Sequence, residues 1–101
     1  MAQSVLELEV ENYLIKCLDE KRIFHFKGNP SGLKGYPDRT VLSDREYHVE
    51  VKVGKEFGSY YKQTLAQKWW QTKFEHANSV YVLLTGFKEV DDFVNKLPSQ
   101  I

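Results

Sequence analysis

Asp38, Glu50 and Lys52 are the residues of this chain whose types and spacing could do chemistry. They lie in GYPDRTVLSDREYHVEVKVG, residues 35–54, where two apolar runs flank a polar turn and so read as a β-hairpin. Alternate residues of a strand share a face, which sets Tyr47, Val49, Val51 and Val53 against His48, Glu50 and Lys52. Asp38 joins Glu50 and Lys52 if it pairs opposite Glu50. That register needs a three-residue turn, Ser43-Asp44-Arg45, with Leu42 facing Glu46. A two-residue turn at Asp44-Arg45 would send Asp38 to the other face unless a bulge corrected it. Two carboxylates held side by side repel, and a divalent cation between them relieves the cost. Oxygen donors without Cys or His select a hard ion, Mg²⁺ or Mn²⁺. Such an ion lowers the pKa of a bound water and neutralises charge on a phosphoryl oxygen. Lys52 would hold the attacking water or stabilise the developing negative charge. An ordinary polar strand face with a local Glu50–Lys52 ion pair would carry the same residues.

The elements that must position these groups follow from periodicity. Residues 5–20 read as a helix with Leu6, Val10, Leu14, Cys17 and Leu18 on its apolar face and Ser4 as N-cap. A strand is expected over 22–27, a Gly/Pro loop over 28–37, and strands over 38–43 and 46–53. A long connection leads to a helix near 60–77, a buried strand over 79–85, and a short helix near 88–97 that ends before Pro98. The strand–helix–strand unit over 46–85 favours a parallel pair crossed over by its helix.

Composition is consistent with one domain spanning residues 1–101. Hydrophobic residues make up 42% and aromatics 14%, enough for one modest core. No apolar run approaches a membrane span, no secretory signal is visible, and a single Cys17 fits a reducing, cytoplasmic setting. The three histidines form no zinc pattern. The net charge is zero but unevenly spread: residues 27–73 hold nine Lys/Arg against five acids, while each flank is acidic by two. A basic middle with embedded acids suits a polyanion partner that also needs a metal, although ordinary surface charge gives similar counts.

Pro37-Asp38, eleven residues, then Glu50-Val51-Lys52 resembles the PD-(D/E)XK nuclease motif, and Gly35-Tyr36-Pro37-Asp38-Arg39 resembles its virus-type replication-repair nuclease (VRR-NUC) branch. ELEVENYLIKCL (7–18) is similar to that family's first helix, and QKWWQTKFEHANSVYVLL (67–84) to its glutamine-bearing helix and following strand. The likeness covers roughly residues 5–85. It implies an α/β, restriction-endonuclease-like fold: an αβββαβ core with a central mixed β-sheet flanked by helices, here with a short C-terminal helix.

On this resemblance Asp38 and Glu50 match the metal carboxylates, Lys52 the catalytic lysine, and Val51 the residue whose backbone carbonyl reaches the metal. Of the first-helix acids Glu7, Glu9 and Glu11, alignment favours Glu7. Helix geometry puts Glu7 nearest the apolar stripe and Glu9 and Glu11 farther out. Ser4-x-x-Glu7 is also a capping box, a competing use of the same side chain. Gln67 matches the helix glutamine, with Gln63 one turn earlier as the alternative; both share a face with Trp70 and Phe74. Lys34, Arg39, Lys55 and Gln63 are candidate nucleic-acid contacts, with Lys62, Lys68 and Lys73 as further surface cations. Gly28, Gly32 and Gly35, bracketed by Lys27 and Lys34, would allow a backbone approach to phosphates or simply make a connector. Tyr61, Leu65 and Trp69 form a second apolar stripe on the same helix, to be covered by a second subunit, by the C-terminal helix or by loop 54–60. The resemblance implies a Mg²⁺-dependent endonuclease, Mn²⁺ substituting, acting on branched DNA such as Holliday junctions, as a homodimer. As a small stand-alone chain it would suit a phage and its host's cytoplasm. Flap or single-stranded DNA, or binding without catalysis on the same fold, are the alternatives.

Overall fold

The computed structural model describes residues 5–28, 33–52 and 63–98. Their order is α1 (Val5–Glu20), β1 (Phe24–Lys27), β2 (Arg39–Leu42), β3 (Glu46–Val51), α2 (Leu65–His76), β4 (Val80–Leu84) and α3 (Phe87–Lys96). This is the αβββαβ core of the restriction-endonuclease-like fold with one short helix added. The sheet order is β1-β2-β3-β4; β1–β2–β3 run antiparallel, and β4 joins β3 in parallel through the α2 crossover.

Strand alternation divides the sheet into two unlike faces. Val41, Val49, Val51 and Leu84 point to one side, where Val10, Leu14 and Leu18 of α1 and Val90, Phe93 and Val94 of α3 close the core. Thr40, Leu42, His48, Glu50, Tyr81 and Leu83 point to the other, where α2 packs. There Phe74 stacks on His48 at 3.8 Å, and Tyr36 meets Trp70 and Phe74 edge-on at 4.8 and 5.6 Å. Trp70 and Phe74 thus face the sheet as their spacing predicts.

Several boundaries and one face depart from the sequence reading. β1 starts at Phe24 rather than residue 22, because Arg22 turns left-handed (φ 61°) and the amides of Arg22 and Ile23 close the end of α1 onto Asp19 and Leu18. β2 is confined to Arg39–Leu42 where 38–43 is expected. α2 starts at Leu65 rather than near residue 60, because Thr64 is its N-cap and forms a reciprocal capping box with Gln67. On α1, Leu6 is 39% exposed and Glu11 is buried, reversing their expected places. Positions 7, 11, 14 and 18 fall within a narrow arc at 100° per residue, and this arc faces inward. The proposed N-cap Ser4 lies outside the described residues.

Candidate functional site

The turn between β2 and β3 fixes the site. It contains Ser43, Asp44 and Arg45, with Leu42 opposite Glu46 and Arg39 opposite Val49. The Ser43 amide donates to the Arg45 carbonyl at 3.0 Å. One step beyond Arg39–Val49 this register sets Asp38 opposite Glu50, the arrangement the three-residue turn was required to give. Pro37 is fully buried and anchors the chain just before Asp38. The ladder has ended here, so the Val51 amide donates to Asp38 Oδ2 at 2.9 Å instead of to β2. The Val51 side chain is buried in the core on the opposite face.

Glu50 is only 4% exposed. Burial pushes its carboxyl up to about 9, the Asp38 charge adds to the rise, and Lys52 opposes it. Burial also raises Asp38, against the Val51 amide, while the charge of Glu11 adds to the rise. The two groups share a hydrogen bond in which Glu50 donates and Asp38 accepts. Without a cation, burial and the mutual repulsion of the two carboxylates therefore favour a protonated carboxyl in this pair. Burying acids at such a cost is what a site for a hard dication requires, and the oxygen donor set fits Mg²⁺ or Mn²⁺. Among the described residues, no group of three or more His, Cys, Asp or Glu side chains is arranged to hold a metal ion. Two carboxylates, with a backbone carbonyl beside them, are what the strands bring together.

The other sequence candidates differ in where the structure places them. Lys52 Nζ lies 3.9 Å from Glu7 Oε2, so the first helix faces the site through Glu7. Glu9 is exposed. Glu11 reaches Arg39 at 3.5 Å. Arg39 also donates to His25 Nδ1 at 3.0 Å, which leaves His25 Nε2 to donate to Asp19 at 2.7 Å. The Arg39 guanidinium is therefore engaged beneath α1. Gln67 is buried and its Oε1 accepts the Thr64 amide, so the helix glutamine is also a cap. Gln63 donates to Gln71 Oε1 and to Tyr81 Oη, at 2.9 and 3.4 Å. Lys34 is exposed, and its carbonyl accepts the Trp70 indole N–H at 3.0 Å. Lys55, Lys62, Gly32 and Tyr61 lie outside the described residues.

Two glycines of the 28–37 loop make their close approaches to the chain itself. A Cβ on Gly28 would stand 2.9 Å from Thr40 Oγ1, and one on Gly35 2.6 Å from Ala66 Cβ.

Tyr81 is a site neighbour that sequence reasoning missed. Burial lifts its phenol to about 12; the Glu50 and Asp38 charges add to the rise while Gln63 opposes it. The parity argument used for Glu50 would have found it, since Tyr81 lies opposite His48 and Leu83 opposite Glu50. Its continuous apolar setting hid the alternation.

No family model matches the chain, and no curated protein matches it. Among solved structures, one described as a VRR_NUC domain superposes with a TM-score of 0.76. The chain shares the fold of a VRR_NUC domain. The match covers 91% of this chain and 97% of that one, at 22% sequence identity. Residues 38, 50 and 52 therefore sit in a scaffold of the kind their motif resembles. No described helix is long and apolar enough to cross a membrane.

Proposed function

We propose that this protein is a Mg²⁺-dependent endodeoxyribonuclease of the VRR-NUC branch of the PD-(D/E)XK nucleases, a stand-alone member hydrolysing phosphodiester bonds in branched DNA. The observation that carries this reading is the register that brings Asp38 opposite the buried Glu50, with Lys52 just past the end of β3, in a fold shared with a VRR_NUC domain. Asp38, Glu50 and the Val51 carbonyl would hold the ion, with Glu7 as a further acid. When bound, the ion supplies Lewis-acid charge at a phosphoryl oxygen and a more acidic water. Lys52 sets an ammonium beside the reacting phosphate, where negative charge grows as the P–O bond forms. Glu7 pairs with that ammonium and orients it. The Val51 amide fixes the rotamer of Asp38. Tyr81 borders the site from β4, and Gln67 would act through its place at the start of α2.

The second apolar stripe of α2 supports a homodimer. Leu65 is 85% exposed and Trp69 54% exposed, a surface a second subunit would cover. Two copies would offer two cutting centres, as a four-way junction with two strands to cut demands. A cytoplasmic site of action accords with this substrate.

The test is cleavage of labelled four-way junctions, flaps and single strands with Mg²⁺, Mn²⁺ or EDTA. Junction cutting that EDTA stops is expected. Asp38→Asn keeps an oxygen for the Val51 amide, so it should fold as the wild type yet cut at least 100-fold more slowly. DNA binding without nicking in either metal would sink the enzymatic reading.

A further inference from the structure

On the face that carries Asp38 and Glu50, α2 covers the β3–β4 half of the sheet and no described helix covers β1 and β2. Phe24 and Phe26 stand on that open half, both largely exposed, their rings 5.9 Å apart. Beside them is a cleft of about 330 Å³ lined by Phe26, Lys27, Tyr36, Thr40, Glu46 and His48, with Gly28 at its edge. Its volume is at the small end of the range for ligand sites.

The cleft wall is both aromatic and polar. His48 is 95% buried and flat against Phe74. Its Nε2 donates to Glu46 Oε2 at 2.7 Å, and its Nδ1 has no hydrogen-bond partner among the described residues. A buried, unsatisfied ring nitrogen in a cleft wall calls for a group to meet it. Thr40 brings a hydroxyl. Thr40 and His48 are each two residues from Asp38 and Glu50 on the same strands, so cleft and acid pair are about 6.5 Å apart along the pleat.

We propose that this cleft binds an unstacked nucleobase of a single-stranded or splayed DNA segment, stacked on Phe26 and Tyr36, with its neighbouring phosphate at the acid pair. This rests on the nuclease reading above and narrows its substrate to DNA with an unpaired strand at or beside the cut. Open sheet faces that carry aromatics suit splayed bases, because every base has a π-face while a stacked duplex offers none at the side.

The experiment compares two fluorescein-labelled 12-nucleotide strands of equal charge, one with bases and one fully abasic, by anisotropy in EDTA at fixed salt. The base-bearing strand should bind about tenfold more tightly than the abasic one. Phe26→Ala should bring the two to equal affinity, and Phe26→Tyr should restore the difference. Phe26 is 44% exposed, so its loss leaves the core intact; a matched thermal unfolding curve verifies this. Equal affinities in the wild type, or a preference untouched by Phe26→Ala, overturn the proposal. Cleavage of junctions in Mg²⁺ is scored separately. Cutting without a base preference leaves the nuclease reading standing and removes this one, whereas a Phe26-dependent preference without cutting does the reverse.

Discussion

Replacing Glu50 by Gln is expected to abolish cutting and yet make the metal-free protein more stable at neutral pH. In the folded chain burial pushes the Glu50 carboxyl up to about 9, whereas in the unfolded chain it titrates near 4.5. The fold binds this proton more tightly than the open chain does. The stabilisation is therefore complete below about pH 4.5 and is lost progressively as the pH rises toward 9. The slope is about 1.4 kcal/mol per pH unit, so between pH 5.5 and 7.5 the metal-free wild type should lose about 3 kcal/mol. That is a large share of the roughly 5–15 kcal/mol that holds a domain together, and about 10–20 °C in Tm. Gln is close in shape and stays neutral, so Glu50→Gln should flatten most of the slope and leave the variant the more stable protein at pH 7.5. Asp38, also raised by burial, supplies a smaller residual slope of the same sign. The assay is urea unfolding in EDTA across this range, with the m-value monitored. Adding Mn²⁺ should raise the wild type more at pH 7.5 than at 5.5, because the ion competes with the shared proton, and should leave the variant unmoved. Wild-type stability that is flat or rising with pH in EDTA, or a variant with the full wild-type slope, would refute the argument.

Gly35→Ala should destabilise by about 2 kcal/mol or more, read by chemical denaturation. Gly35 is left-handed at φ 76°, and an added Cβ would meet Ala66 Cβ at 2.6 Å. Thr64→Ala removes the side-chain half of the α2 capping box and should cost about 1 kcal/mol. Its amide exchange in the first turn of α2 should quicken, and Thr64→Ser should restore both.

What could be read from the sequence was mostly what depends on parity and turn length. The Asp38–Glu50 pairing follows from one choice, a three-residue turn, because strand alternation then places every other side chain. The face shared by Trp70 and Phe74 follows in the same way from helical period. Glu11 was misread because the stripe on α1 was phased on Leu6, an apolar residue that the fold leaves outside. Its real partner, Arg39, lies 28 residues away and on another element, where no local pattern reveals it. The start of α2 was placed too early because apolar spacing continues through Tyr61. The decisive signal is Thr64-x-x-Gln67, a cap sequence in which the glutamine serves the helix start. Tyr81 was lost in an apolar run that gives no visible alternation.

The pairing of α1 with α3 has a consequence for how the molecule is made. The Tyr13 hydroxyl donates to Asp91 at 2.6 Å, and Lys21 Nζ to the Val94 carbonyl at 2.8 Å. The apolar side of the first helix thus waits for the last one. At 5–20 residues per second, a ribosome needs about 3–13 s to supply the 66 intervening residues. During that interval Val10 and Leu14 lack their α3 neighbours, and the helix that aims Glu7 at Lys52 is not yet seated. A nascent chain still short of α3 therefore has its first helix unseated, and Glu7 reaches its place beside Lys52 only once α3 has been made through Lys96.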